Sequence, residues 1–317
     1  MISKIKQKTV RSKDAHLWAI RDGNQDSPCI ILVAGANASH LMWPQEFADL
    51  LVDRGFCVLR YDHRDTGKSS KFDISRCPYT LQDLSEDILA VLDGFEVKRT
   101  HAVGLSMGGT LVQAAVLDHP SRFLSATVML TAALDVDFTG NISRAYTGEP
   151  NPLGLPSPER KVLDVLAKRM DEAKTLDDEL EKRTTEWLAL SGNKAEVKPE
   201  EFRNWEARAI AHAGSMAQPK NHALIAPIPL VRGKELSTIQ IPFLVIQGGQ
   251  DPLNPPPHGK HLAQLIPSST YVEIQELGHS LPSSLHAVIA EKICAHIAGS
   301  NRSRLNHSFP GTAFRNL

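Results

Sequence analysis

Short apolar runs separated by helix-like stretches recur through the first and last parts of the chain. Residues 28–33, 57–61, 100–103, 126–130, 241–247 and 270–274 are rich in Val, Ile, Leu and other strand formers. Most lack the polar alternation of a half-exposed strand, which is the pattern of strands covered on both faces. Between them, Leu81, Leu84, Ile88, Leu92 and Phe95 repeat at helical spacing, and residues 109–117 form a second helix-like stretch. Strands alternating with helices predict an α/β fold with a mostly parallel central sheet flanked by helices.

The texture changes between residues 136 and 235. Strand-like runs vanish, Pro150, Pro152, Pro156 and Pro158 break the chain, and charged helical segments follow near 160–170, 176–190 and 199–213. An insertion of helices into an α/β core predicts a cap placed over the site. The expected organisation is a first core part over 1–135, a helical cap over 136–235 and a second core part over 236–298. The polar, aperiodic residues 299–317 are expected to form a flexible tail.

One pentapeptide carries chemistry. Gly104-Leu105-Ser106-Met107-Gly108 sits between the strand-like run at 100–103 and the helix-like stretch at 109–117. Strand, tight turn and helix are what a nucleophile elbow requires: the turn strains the serine backbone, and small neighbours let strand and helix approach. The serine hydroxyl then stands clear of the sheet, beside helix-start N–H groups that can stabilise an oxyanion.

A serine hydroxyl is a weak nucleophile at neutral pH, so it needs a base and a group that orients the base. On such a fold these follow the serine in the order acid, then histidine. Asp251 emerges from the glycine turn after the run at 241–247, and His279 lies just past Gly278 after the run at 270–274. Asp135, just after the strand at 126–130, is the alternative acid. The loop opening after residues 28–33, Ala34-Gly35-Ala36-Asn37, offers the Ala36 N–H as one oxyanion donor, with the Met107 N–H as the other. Trp43, Trp187 and Trp205 are the large apolar groups expected around a substrate. His63 and the charges of the loop at 62–70 read as structural.

On these motifs the chain resembles the α/β-hydrolase superfamily along almost its whole length, and within it the aclacinomycin methylesterase group. The resemblance rests on Tyr61-Asp62-His63-Arg64-Asp65-Thr66-Gly67-Lys68-Ser69, on the elbow, on Asp251-Pro252 with Pro257-His258-Gly259-Lys260-His261-Leu262, and on Gly278-His279-Ser280-Leu281-Pro282. It is also similar to hydrolases of fungal toxin and polyketide clusters. The resemblance implies Ser106, Asp251 and His279 as a catalytic triad and Ala36 and Met107 as oxyanion donors. It implies hydrolysis of a carboxylic ester, for instance a methyl ester, on a hydrophobic secondary metabolite. Gly35-Ala36 departs from the Gly-Gly or His-Gly usual there. A thioesterase, lactonase or cofactor-free haloperoxidase could use the same triad, and a silent ligand-binding protein could keep the fold.

Composition narrows the partners. The 317 residues carry a formal net charge of −1 and no basic block, which argues against nucleic acid or an anionic membrane. No apolar run approaches a membrane span. The basic first twenty residues lack an apolar signal core, so a cytoplasmic enzyme is expected. Arg315-Asn316-Leu317 loosely matches a peroxisomal address. The four cysteines are widely spaced and show no metal-binding pattern, and His258 and His261 fit one helix surface; neither metal nor cofactor is expected.

Overall fold

The computed structural model describes residues 6–76 and 79–307. Cys77 and the Arg315-Asn316-Leu317 tripeptide lie outside the described residues. Among the described residues eight strands form one sheet: β1 (Lys6–Ser12), β2 (Ala15–Asp22), β3 (Cys29–Val33), β4 (Cys57–Tyr61), β5 (Thr100–Leu105), β6 (Phe123–Met129), β7 (Phe243–Gly248) and β8 (Ser269–Ile274). Their order is β1-β2-β4-β3-β5-β6-β7-β8, antiparallel across β1, β2 and β4 and parallel from β4 to β8. The parallel part follows the sequence expectation. The β1–β2 hairpin was not anticipated: β1 keeps its first four residues exposed, so its composition reads as polar surface.

Alternate residues of the central strands feed two cores. Ile31 and Val33 of β3 join Leu59, Ala102, Val128 and Val245 on one face. There they pack against α2 (Leu81–Gly94), α3 (Met107–Asp118) and α8 (His258–Leu265). Ile30 and Leu32 join Val58, Val103, Met129 and Ile246 on the other, against α1 (Gln45–Val52) and α9 (Ser283–His307). Burial on both faces explains why these strands read as continuous apolar runs.

Helix α2 begins with a capping box, Thr80 against Asp83, and buries the Leu84, Ile88 and Leu92 stripe. Helices α4 (Phe138–Thr147), α5 (Arg160–Ala167), α6 (Leu176–Leu190) and α7 (Pro199–Ala213) build the inserted segment. Helix α6 starts with a second capping box, Thr175 against Asp178, and α7 starts on Pro199 and ends at Gly214 in the left-handed conformation. Helix α4, whose Gly140 and Asn141 are poor helix formers, was not anticipated; the Asp137 side chain caps it.

One boundary moves. The flexible tail expected from residue 299 starts as helix, because α9 runs unbroken through His307. Among the described residues no helix is long and apolar enough to cross a membrane.

Candidate active site

Strand β5 delivers Ser106 into the tight turn before α3. Its φ is 56° and ψ −123°, a left-handed strain rarely accepted by a non-glycine residue. Two things hold it there. The Ser106 N–H bonds the Met129 carbonyl at 3.0 Å, and the chain on either side has no room for a side chain. A Cβ on Gly104 would lie 2.3 Å from the Gly108 carbonyl oxygen, and one on Gly108 would lie 2.2 Å from that of Val33. The G-x-S-x-G spacing is therefore a packing requirement of this turn.

His279 stands between Ser106 and Asp251. Its Nδ1 lies 2.9 and 3.0 Å from the two Asp251 oxygens, and its Nε2 lies 2.9 Å from Ser106 Oγ. An ionised carboxylate can only accept, so Nδ1 carries the proton and Nε2 is left to accept from the serine hydroxyl. Asp251 is itself fixed: its Oδ1 accepts the N–H groups of Leu253 and Asn254, each at 2.9 Å. The His279 backbone N–H bonds the Leu190 carbonyl at 2.6 Å, at the end of α6, so the inserted helices help hold the imidazole loop. His279 and Asp251 are 4% and 2% exposed, whereas Ser106 is half-buried. Of the three, Ser106 alone is open to the outside.

Asp135, the alternative acid, faces a different histidine. His261 Nε2 donates to its carboxylate at 3.0–3.1 Å. His63 is buried, with Nε2 2.9 Å from the Ala34 carbonyl, and burial pushes its pKa down.

The loop at residues 34–37, where one oxyanion donor is expected, lies beside the serine: a Cβ on Gly35 would come within 3.4 Å of Ser106 Cβ and 3.0 Å of Met42 Cε. The Gly35 N–H points to Met42 Sδ at 2.9 Å. His222 braces the next residues. Its Nδ1 accepts the Asn37 N–H at 2.8 Å and its Nε2–H reaches the Arg64 carbonyl at 2.9 Å. Complete burial, helped by neighbouring His63, lowers the His222 pKa to about 3, so the ring stays neutral. Met107, in the first turn of α3, has its N–H outside the helical ladder.

A cavity of about 660 Å³ opens between this loop and the inserted helices. Ala36, Asn37, Ala38 and Ser39 line one side and Trp187 and Trp205 another; Ser106, Asp251 and His279 are not part of its wall. The two tryptophan rings lie 4.6 Å apart with their planes tilted by 46°, and Trp187 Nε1 donates to Glu206 at 2.6 Å. Trp43 does not belong with them. It is completely buried against Phe47, 5.3 Å between rings, and Met42 faces the cavity instead. The expectation that Trp43 lines the substrate pocket is corrected: its side chain points into the core beneath α1.

The cavity also holds charges that the sequence did not single out. Arg169, Arg183, Glu186 and Glu206 all line it. Arg183 bridges Glu179 at 2.6 Å and Glu206 at 3.0 Å, and Arg169 pairs with Glu186 at 2.7 Å. Burial raises the Glu186 pKa against the pull of Arg169. Helical pairs such as Glu179 and Arg183 read as solvated surface, and only the folded arrangement turns them inward.

A family model described as "alpha/beta hydrolase fold" matches residues 28–283. The chain belongs to the α/β-hydrolase family. The hydrolase is 43% identical over 287 residues to rhodomycin D methylesterase DnrP of Streptomyces peucetius, covering 90% of this chain and 96% of the relative. It is 27% identical over 263 residues to 3-oxoadipate enol-lactonase 1 of Acinetobacter baylyi, covering 81% of this chain and 84% of that one. Among solved structures it superposes on the esterase EaEST from Exiguobacterium antarcticum with a TM-score of 0.70 at 16% identity, covering 92% of this chain and 100% of the other, a likeness of fold.

Proposed function

We propose that this hydrolase cleaves a carboxylic ester, with a methyl ester on a hydrophobic secondary metabolite as the substrate class, through an acyl-enzyme on Ser106. The observation that carries the reading is the unbroken hydrogen-bond chain from Asp251 through His279 to Ser106. Its similarity to a rhodomycin D methylesterase over nine-tenths of the chain supports the ester class.

His279 Nε2 takes the serine proton as Oγ attacks the ester carbonyl, and Asp251 stabilises the imidazolium. Charge gathers on the carbonyl oxygen, for which the Ala36 and Met107 N–H groups are the proposed donors. One such donor is worth roughly 3–4 kcal/mol in related systems. His279 returns its proton to the leaving alkoxide, releasing an alcohol, and then activates water to free the acid. The strained turn spares the enzyme from positioning the hydroxyl during turnover.

Ser106→Ala tests this directly. It removes one oxygen from a half-buried position, so folding should be kept while turnover falls by about 10⁴–10⁶. Hydrolysis of a methyl ester panel at near wild-type rate by this variant would exclude the scheme. Lactones and thioesters in the same panel separate the substrate classes: preference for either over methyl esters would overturn the ester assignment and leave the triad standing.

A further inference from the structure

Three residues distant in sequence meet beneath the inserted helices. His40 opens the short turn His40–Met42 directly after the oxyanion loop, Asp62 follows β4, and His212 lies in the last turn of α7. His40 Nδ1 is 2.7 Å from Asp62 Oδ1, and His212 Nε2 is 2.7 Å from Asp62 Oδ2. The potential ligand atoms lie within 4.8 Å of one another, and among the described residues no other trio of His, Cys, Asp or Glu side chains converges in this way.

The surroundings are built around that carboxylate. Asp62 is fully buried and His40 nearly so. The backbone N–H groups of His40 and Lys68 donate to Asp62 at 2.9 and 2.8 Å, fixing both oxygens. The loop wraps so closely that a Cβ on Gly67, where φ is +45°, would lie 2.0 Å from Asp62 Oδ2. Trp18 packs over both imidazoles, 4.5 Å from one ring and 4.7 Å from the other. No Lys or Arg among the described residues forms a salt bridge with Asp62.

We propose that His40, Asp62 and His212 form a structural site for a divalent transition-metal ion, Zn²⁺ by preference, that clamps helix α7 to the oxyanion loop. Two imidazole nitrogens and one carboxylate are the donor set that favours zinc and its first-row neighbours over calcium or magnesium. Each histidine now donates a ring proton to Asp62. To bind metal it moves that proton to its other nitrogen, a change of tautomer. The backbone N–H bonds to Asp62 are the second shell that orients the carboxylate.

The consequence is local to the cavity. Helix α7 contributes Trp205, Glu206, Ala209 and Ala213 to its wall, and the loop preceding His40 contributes Ala36 to Ser39. A metal joining His212 to His40 would hold these two walls at a fixed separation. It has no part in the Asp251, His279 and Ser106 relay, so the proposal stands apart from the assignment of the reaction.

Untagged full-length protein, stripped with chelator, is titrated with Zn²⁺ by calorimetry and with Co²⁺ by visible absorption. The expected result is one ion per chain, a raised melting temperature, and a Co²⁺ spectrum of nitrogen and oxygen ligation. His212→Gln and His40→Asn should each weaken binding by more than about 100-fold. His261→Gln, which alters the other imidazole–carboxylate pair, should leave it intact. Absence of saturable binding to the wild-type chain would overturn the proposal, as would binding that survives both ligand substitutions. A lowered melting temperature in His212→Gln without any effect of Zn²⁺ on the wild type would also overturn it, leaving a hydrogen-bonded clamp.

Discussion

The sheet and the inserted helices hold their functional groups in different ways. On the sheet side, position is set by backbone. Ser106 is forced above β5 by a turn that admits only glycine at 104 and 108, and Asp251 is held by two N–H groups. On the cap side, position is set by side chains paired with one another, with Arg183 between Glu179 and Glu206 and Trp187 hydrogen-bonded to Glu206. A backbone-fixed relay tolerates changes in its surroundings. A cavity wall built from paired charges can be re-cut by single substitutions, which suits a family that varies its substrates on one scaffold.

The largest expected effect is at the acid. Asp251→Asn should lower turnover by about 10⁴ with little change in KM, by disturbing the tautomer and orientation of His279. Asp135→Asn, facing His261, should keep near wild-type turnover. The reverse ranking in steady-state kinetics would move the relay to the other strand.

Next in size is the cap's charge pairing. Arg183→Met leaves Glu179 and Glu206 buried without their shared partner, and should cost about 3–5 kcal/mol in chemical denaturation. Loss below 1 kcal/mol would show that the pairing contributes little to holding the cap.

Smaller effects separate selectivity from proton transfer. Trp205→Ala or Trp187→Ala should change the preference among acyl and alcohol groups by roughly 10-fold or more and leave the shape of the pH profile alone. Neither indole handles a proton. Unchanged selectivity with only a lowered melting temperature would make both plain packing residues.

His222 gives the pH prediction. Its folded pKa, about 3, lies below its ordinary 6.5, so between these values the unfolded chain takes up a proton that the folded chain refuses. Its contribution to stability is therefore present above pH 6.5 and lost as pH falls toward 3, with a slope of up to about 1.4 kcal/mol per pH unit. His222→Gln should flatten the denaturation midpoint over that window. An unaltered slope would mean that other groups carry the acid response.

Much of the architecture was legible because burial on both faces leaves unbroken apolar runs. The strands β3 to β8 and helices α6 and α7 fall where periodicity placed them. The elbow was legible because steric need restricts the residues allowed at 104 and 108, and Asp251 and His279, expected from chain order, lie in one hydrogen-bond chain with Ser106. What escaped depends on contacts between distant segments. Strand β1 leaves four consecutive residues exposed, α4 relies on its Asp137 cap, and Trp43 turned inward although its neighbour Met42 faces the cavity. Asp62 and His212 meet across 150 positions of the chain, with His40 on the other side of the same carboxylate, which no local spacing announces.

In the proposed reaction Ser106 carries the acyl group. A fluorophosphonate probe applied to the full-length protein, followed by peptide mass spectrometry, reads this directly. Stoichiometric labelling of Ser106, abolished in Ser106→Ala and slowed in Asp251→Asn, is the expected result. Labelling at another serine, or an unlabelled protein that still hydrolyses its ester, would contradict it.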